Sequence, residues 1–451
     1  MTRKKVLIWF MPILIIVGAF CAYISYTFFS SDYVKFLPKN LKVITAVDLK
    51  KLTAASDFAP EALLINGLAI YEVDKVAFSK FDNVNIAGIS LVVPKHVICI
   101  DDEIEFYKND RKILERNKKI LGLGYRHIAD EGTSLSDLCL DASLKLFEGL
   151  NINPCEIDAL IVASTSLDYK YPATSCVLHG KLGLKEDCIS FDITGLACSA
   201  YVYGLSVAHS LVSSGAAKKC LLLVGEIASI HSDKRNRNSN MLFGDGAAAT
   251  LIEASQCHKE SFFYTGTRGK DWDKIIAPAG GWSLPVQEDI ISIEETDSRG
   301  NVWHLWDEIM KGMDVFKFAT DIGPEGIGKI LEYSKNQIED IDYFAFHQAN
   351  KQIVNSVASY SKIPESKFST EAFYLYGNCG SASIVTDICH SICGKSPAKV
   401  LLSSFGVGLS WGFAVLDFSD CKIMSIYSFD PREKILSRSE KIDYWIDYFK
   451  K

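Results

Sequence analysis

The order of apolar and polar positions divides the chain into two parts. Residues 6–31 form one apolar run without a charged residue, and an irregular stretch continues from there to about residue 82. From residue 83 onwards, short β-branched apolar runs alternate with segments in which apolar positions recur every three to four residues. The first pattern predicts strands and the second predicts amphipathic helices. Together they predict an α/β sheet with helices on its faces.

The first half of this region contains regularly alternating predicted elements. The predicted strands are residues 83–93, 158–166, 188–193 and 218–229. The predicted helices are residues 134–150, 172–182 and 198–215. Several of the strands are almost wholly apolar, which is typical of strands covered on both faces.

An internal repeat follows from comparing the two halves. The segment EIDALIVASTS at 156–166 resembles EDIDYFAFHQA at 339–349, and the region that begins at Cys198 resembles residues 378–406. We interpret these as two copies of one βαβ unit whose second helices begin at matching positions, facing a shared pseudo-dyad. Chance similarity between buried strands is the alternative.

The N-terminal run predicts a membrane anchor. A helix of about 20 apolar residues spans a bilayer core, and residues 6–31 are long enough. An uncleaved secretory signal, or an extension foreign to the folded domain, are the alternatives. Basic residues on both sides of the run leave its orientation open.

These patterns suggest five segments along the chain. The predicted segments are a candidate anchor at 1–32, a linker or accessory extension at 33–82, two halves of the α/β unit at 83–256 and 257–420, and a tail at 421–451.

Composition excludes several classes of protein. The 451 residues include 48 Lys and Arg against 55 Asp and Glu, and 48% are hydrophobic, which argues against a disordered chain. With a net charge of −7, the chain has no excess of basic residues for binding phosphate groups, so no nucleic-acid partner is expected. The 13 cysteines are scattered, which indicates a reducing compartment and a cytoplasmic catalytic part. Cys389, His390 and Cys393 share one predicted helix without further ligands, so no metal site is expected.

Cys198 is the candidate nucleophile. It lies in TGLACSAYVYG, where Gly195 and Ala197 permit a tight turn before a helix. Backbone N–H groups and the dipole at a helix start favour a thiolate. A cysteine in that setting is suited to covalent catalysis.

Two polar residues and a glycine loop complete the candidate site. His347 follows an apolar strand in AFHQAN, and Asn378 precedes a helix in LYGNCGSAS. Neutral imidazole and amide donors aimed at one oxygen form an oxyanion hole that stabilises an enolate. In SSFGVGLSWG, Gly406 and Gly408 permit close backbone approach to the nucleophile, with a simple tight turn as the alternative.

Six motifs together resemble one known family. In chain order they are ACSAYVYGLSVAHSLVSSGAAKKCLLLVGE, LFGDGAAA, IMKGMDVFKFA, FHQAN, YGNCGSASI and SSFGVGLSWG. This order resembles β-ketoacyl-acyl-carrier-protein synthase III, of the thiolase-like superfamily, over residues 83–418. The resemblance implies a five-layered αβαβα fold made of two pseudo-repeated halves, and a homodimer.

The resemblance also implies a reaction and roles for individual residues. Cys198 would be acylated by an acyl thioester, and His347 and Asn378 would assist the decarboxylation of a malonyl thioester. Condensation would then give a 3-oxoacyl thioester and CO₂, with carriers that are coenzyme A or acyl carrier protein and with no further cofactor. Tyr171, in DYKYPAT, matches an aromatic position that shapes the acyl pocket across the dimer interface in relatives.

Departures from the family leave alternatives open. Gln352, which we assign to the substrate-binding set, stands where the family often has an arginine that contacts the carrier. The first 80 or so residues have no counterpart in typical members. An acyltransferase of the same fold, passing its acyl group to an alcohol or amine, and a non-catalytic membrane-tethered scaffold are the two alternatives.

Overall fold

A computed structural model describes residues 63–65, 68–70, 77–230, 233–395 and 397–450. The chain forms two compact units, residues 1–76 and 77–451. In the first unit, β1 (Leu63–Ile65) and β2 (Leu68–Ile70) pair in antiparallel fashion. The candidate anchor at 1–32 lies outside the described residues. Over the described ranges, no helix combines the length and the apolar character that crossing a bilayer requires.

Two large sheets organise the described part of the second unit. The six-stranded sheet has the order β19 (Lys422–Ser428), β4 (Val84–Val93), β10 (Gly246–Ala254), β9 (Lys219–Glu226), β7 (Ala159–Ala163) and β8 (Ile189–Ile193). The five-stranded sheet has the order β16 (Tyr343–Phe346), β17 (Lys399–Gly406), β18 (Ser410–Asp417), β11 (Glu260–Thr267) and β3 (Phe78–Asp82). Short two-stranded ladders join β5 (His96–Cys99) to β6 (Tyr125–Ile128), β12 (Ile275–Ile276) to β15 (Ile309–Met310), and β13 (Glu295–Thr296) to β14 (Val302–Trp303).

The strand pairings confirm the internal repeat. In the first sheet β7 runs parallel to β9, and β9 turns back antiparallel to β10. In the second sheet β16 runs parallel to β17, and β17 turns back antiparallel to β18. The first copy carries one additional parallel strand, β8, at its edge.

Ten helices belong to the described part of the second unit. They are α1 (Arg111–Leu121), α2 (Leu135–Leu150), α3 (Thr174–Leu182), α4 (Ala200–Ser213), α5 (Glu288–Ile291), α6 (Gly312–Ser334), α7 (Lys351–Tyr360), α8 (Glu371–Tyr376), α9 (Ser383–Ser391) and α10 (Arg438–Lys450). The strands and helices predicted for the first half are all present, with ends that differ by at most a few residues.

Burial of the helices defines five layers. The apolar side chains of α4 and α9 share one core with strands of both sheets, so these two helices lie between the sheets. Helices α2 and α3 cover the opposite face of the six-stranded sheet, and α6 and α7 cover that of the five-stranded sheet. Because sheets cover α4 on two sides, its buried positions are mostly apolar, whereas Ser210 and Ser213 near its end are exposed.

Two predicted boundaries are wrong. The linker was expected to extend to residue 82, but β3 pairs with β11 and belongs to the five-stranded sheet. The tail was expected to begin at 421, but β19 pairs in parallel with β4 inside the six-stranded sheet. Both are edge strands with partly exposed positions, so they lack the continuous apolar run that identified the central strands.

Candidate active site

Cys198 lies in a strained turn at the entrance to the middle layer. After β8, the chain passes through Gly195 with φ 80° and Ala197 with φ 44°, and a short 3₁₀ turn leads into α4. A positive φ is unfavourable for a residue with a Cβ atom, so Ala197 is held there by its surroundings. The side chain of Cys198 is half-buried and lines a cavity.

Gly406, at the end of β17, packs directly against this turn. A Cβ atom at 406 would lie 2.6 Å from the Leu196 carbonyl oxygen, 2.8 Å from the Ser199 nitrogen and 3.1 Å from the Cys198 nitrogen. The close approach expected for Gly406 is therefore present. Gly408 has a φ of 128° and lies outside the set of residues that line the cavity.

His347 directly follows β16 and is buried. Its backbone N–H donates to the Ser403 carbonyl at 2.8 Å, and its Nδ1 atom lies 2.7 Å from the Ser383 hydroxyl. The Ser383 oxygen also accepts the Gln348 N–H at 2.7 Å, so the Ser383 proton is free to be donated to Nδ1. This arrangement favours the tautomer with its proton on Nε2, the nitrogen that remains for the cavity. Burial lowers the pKa of His347 to about 3, so the imidazole is neutral.

Asn378 has its amide oriented by the turn that follows it. Its backbone N–H donates to the Leu242 carbonyl at 2.8 Å, and its Oδ1 atom accepts the Gly380 N–H at 3.0 Å. With the oxygen engaged, the NH₂ group is the donor available to the cavity. Neighbouring Cys379 is fully buried outside the cavity, with its Sγ 3.7 Å from the Tyr376 carbonyl.

One cavity brings the three predicted residues together. Cys198, His347 and Asn378 all line it, and its volume is about 70 Å³. The apolar part of its lining includes Ile275, Met310, Val315, Phe318, Phe405 and Leu409. A thiol, a neutral imidazole and a carboxamide thus line one largely apolar cavity.

The electrostatics of Cys198 differ from the expectation based on its helix start. Burial raises the pKa of the thiol, and the nearby carboxyl groups of Glu308 and Glu226 raise it further. The backbone N–H of Cys198 and a hydrogen bond with the Asn378 side chain act in the opposite direction but are weaker. The helix start therefore does not outweigh desolvation, and the resting side chain is a thiol.

Two glutamates in the cavity were not anticipated. Glu226 ends β9 and accepts hydrogen bonds from the Thr165 N–H and hydroxyl, at 3.1 and 2.8 Å, and from the Ser166 hydroxyl at 2.7 Å. A Cβ atom on Gly380 would lie 2.3 Å from Cγ of Glu226, so the two halves of the fold meet closely there. Glu226 could have been identified from the sequence, because it is a charged residue at the end of the apolar run KKCLLLVGE. Glu308 lies in an irregular segment, where no pattern distinguishes it from its neighbours.

Besides Gly408, two further predicted substrate-binding residues lie outside the cavity. Tyr171 precedes α3 and is 76% exposed. Gln352 is exposed in the first turn of α7. Asn350, from the same HQAN motif, caps that helix by accepting the Ile353 N–H at 2.9 Å, so part of the motif is structural.

Comparisons with known proteins identify the family. A model of the family described as 3-oxoacyl-[acyl-carrier-protein] synthase III matches residues 191–269, and the model of its C-terminal part matches residues 331–418. A Campylobacter jejuni protein, provisionally named 3-oxoacyl-[acyl-carrier-protein] synthase 3, is 40% identical over 76% of this chain and 96% of its own length. The β-ketoacyl-[acyl-carrier-protein] synthase III of Fusobacterium nucleatum is 34% identical over 75% of this chain and 99% of its own.

Solved structures agree with these sequence relationships. The 3-oxoacyl-(acyl-carrier protein) synthase of Burkholderia xenovorans superposes with a TM-score of 0.70 at 29% identity, covering 78% of this chain and 98% of that one. The synthase III of Pseudomonas aeruginosa superposes with a TM-score of 0.64 at 25% identity, covering 74% and 98%. The chain therefore belongs to the 3-oxoacyl-[acyl-carrier-protein] synthase III family of acyl-transferring condensing enzymes, within the thiolase-like superfamily.

Proposed function

We propose that Cys198, His347 and Asn378 carry out a two-step decarboxylative condensation. The observation that carries this proposal is the single cavity that all three side chains line. In the first step the Cys198 sulfur attacks an acyl thioester and forms a new thioester bond. The bond to the carrier breaks, and the carrier leaves as a thiol with the proton that Cys198 gives up.

In the second step a malonyl thioester occupies the cavity. Its C–C bond to the carboxylate breaks, CO₂ departs, and the electron pair moves into an enolate. The neutral His347 imidazole and the Asn378 NH₂ group donate to the enolate oxygen, since both are hydrogen-bond donors without charge. The apolar lining favours the loss of CO₂, because the malonyl carboxylate loses its hydration when it enters the cavity.

Carbon–carbon bond formation completes the cycle. The enolate carbon attacks the acyl-cysteine carbonyl, the C–S bond breaks, and the 3-oxoacyl thioester leaves. Cys198 then takes a proton from the medium to replace the one that left with the carrier thiol, so each turnover consumes one proton. Both steps are group transfers, so the reaction requires no metal and no redox cofactor; coenzyme A and acyl carrier protein serve as carriers of the substrates.

Intact-mass analysis with labelled malonate tests this assignment. The full chain is incubated with a panel of acyl thioesters and then with malonyl thioester labelled at its free carboxyl. We expect an acyl adduct on Cys198, absent in Cys198→Ser, and labelled CO₂ released together with a 3-oxoacyl product. Transfer of the acyl group to an alcohol or amine without malonate use would replace the condensation with the acyltransferase alternative. If the Cys198→Ser variant still performed the cellular role of the protein, the alternative of a non-catalytic membrane-tethered scaffold would be favoured.

A homodimer is part of the same proposal. Tyr171 is exposed to solvent in a single chain, although an aromatic residue at its position lines the acyl pocket across the dimer interface in the family it resembles. Docking of a second copy over this loop would remove Tyr171 from water. Light scattering of the full chain should report a dimer, and Tyr171→Ala should weaken it while Tyr360→Ala, at an exposed site on α7, should not.

We also propose that the apolar run at residues 6–31 tethers the chain to a membrane. Its length and lack of charge support insertion in a membrane, with the catalytic unit on the cytoplasmic side, where coenzyme A and acyl carrier protein are available. Cell fractionation should find the full chain with membranes and a chain starting at Ala77 in the supernatant. Equal partition of the two chains would refute the tether.

A further inference from the structure

Glu308 places an ionisable group in the part of the Cys198 cavity wall that is otherwise formed by apolar residues of β12, β15 and α6. It immediately precedes β15, in which Met310 pairs with Ile275 of β12. Glu308, Met310 and Ile275 all line the cavity, together with Val315 and Phe318 of α6. Of the two nearby carboxyl groups, Glu308 has the stronger electrostatic effect on the Cys198 thiol.

The two glutamates of the cavity differ in their partners. Glu226 accepts hydrogen bonds from Ser164, Thr165 and Ser166, which satisfy both of its oxygens. Glu308 has no hydrogen bond or ion pair with any residue that the structure describes. Glu226 is therefore a fixed part of the wall, while the carboxyl group of Glu308 is available to a ligand.

A plain alkyl group would leave this carboxyl group unsatisfied. An acyl chain on Cys198 displaces water from the cavity, and a buried polar group without a partner is unfavourable. A hydroxyl or amino group on the acyl chain would supply the missing hydrogen bond. The cavity, with a volume of about 70 Å³, has room for an acyl chain of a few carbons.

We propose that Glu308 selects short acyl groups that carry a hydrogen-bond donor, a hydroxyl or an amino group, over alkyl groups of the same length. The proposal rests on the loading of Cys198 proposed above and adds the class of acyl donor. The loading step itself is unchanged: the Cys198–acyl bond forms, the carrier thioester bond breaks, and the carrier leaves as a thiol.

The protonation of Glu308 is consistent with either donor. Burial raises the pKa of Glu308 to about 7, and the charge of Glu226 adds to this effect. The deprotonated form accepts a hydrogen bond from a hydroxyl group or pairs with an ammonium group. The protonated form would still accept a hydrogen bond through its carbonyl oxygen.

Loading rates on matched acyl donors test the proposal. Butanoyl-, 3-hydroxybutanoyl- and 3-aminobutanoyl-coenzyme A are incubated separately with the full chain, and intact mass follows the adduct on Cys198. We expect at least one of the polar groups to load about 10-fold faster than butanoyl, the effect of one hydrogen bond to a charged group. The faster of the two polar donors identifies the hydroxyl or the amino class.

Substitution of Glu308 completes the test. Glu308→Leu should reverse the preference in favour of butanoyl. Glu308→Gln should retain a preference for a hydroxyl group and lose one for an amino group, because the amide accepts a hydrogen bond but has no charge. Glu325→Gln removes an exposed carboxylate on α6 and should leave all three rates unchanged. Thermal unfolding verifies that each variant is folded, and Glu308→Met replaces Glu308→Leu if the latter is not.

Two outcomes would overturn the selectivity alone. One is wild-type loading of butanoyl at the rate of both polar donors or faster. The other is a polar preference that persists unchanged in the apolar variant. Absence of any adduct on Cys198, with every thioester, would instead refute the proposed function on which the selectivity rests.

Discussion

The Oδ1 atom of Asn378 accepts the backbone N–H of Gly380 at 3.0 Å, and this hydrogen bond directs the NH₂ group of Asn378 to the cavity. The orientation of a side-chain amide is thus fixed by the turn that immediately follows it. The same side chain lowers the pKa of the Cys198 thiol, against the larger effect of burial, and both side chains line the one cavity.

Replacement of Asn378 by Asp should abolish most of the condensation. The substitution removes a neutral donor and adds a negative charge beside the developing enolate, and loss of one such donor typically lowers the rate about 10²–10³-fold. Release of labelled CO₂ from malonyl thioester measures the effect. Cys379→Ala is the matched control, because Cys379 is buried outside the cavity, and it should retain the wild-type rate.

Ser383 should act as a positioning residue for His347. Ser383→Ala removes the partner of Nδ1, so the imidazole loses its preferred tautomer, and we expect decarboxylation to fall by about 10-fold or more. Loading of Cys198 should change little, which separates this role from a general loss of structure. Ser383→Thr restores a hydroxyl and should recover activity; equal loss in both steps would argue for misfolding instead.

Gly406→Ala should disturb the nucleophile turn. The added methyl group would lie within 3.1 Å of three backbone atoms of residues 196–199, and backbone cannot move aside as a side chain can. We expect slower acylation of Cys198 and a lower free energy of unfolding, by about 1–3 kcal/mol. Gly328→Ala, on the exposed face of α6 with open space around it, should be neutral or stabilising in a urea titration.

The stability of the protein should respond to pH through Glu308. Its pKa is about 7 in the folded protein against 4.5 when unperturbed, so the folded state binds the proton more tightly. The contribution of Glu308 to the free energy of unfolding is therefore largest below about pH 4.5. It declines as the pH rises through 7, by up to about 3 kcal/mol. Glu308→Gln should consequently be more stable than wild type at pH 8 and differ less at pH 5, as measured by urea unfolding. An unchanged difference across this range would contradict the raised pKa.

The sequence was informative where chemistry coincides with a sharp change of pattern. His347 directly follows a wholly apolar strand, and Cys198 and Asn378 lie among small residues at helix starts. Single-chain patterns therefore singled out three side chains that share one cavity, while their catalytic roles stay a prediction. The edge strands β3 and β19 were missed because their stability comes from pairing with distant strands, β11 and β4.

The charged groups around Cys198 could not be predicted from the sequence, for a related reason. Glu308 belongs to an irregular segment, and only the packing of β12, β15 and α6 brings it into the cavity. The thiolate expected at Cys198 from its helix start was also offset by burial, which depends on the whole of the surrounding fold.

The contact between Glu226 and Gly380 has an evolutionary consequence. Glu226 ends a strand of one repeat and Gly380 opens a turn of the other, and no methyl group fits between them. The sequences of two repeats can in general change independently of each other. Where Gly380 contacts Glu226, however, a larger residue in one repeat would clash with the other repeat. Residue 380 is therefore restricted to glycine for as long as a glutamate stays at 226, and the two modules must change there in concert.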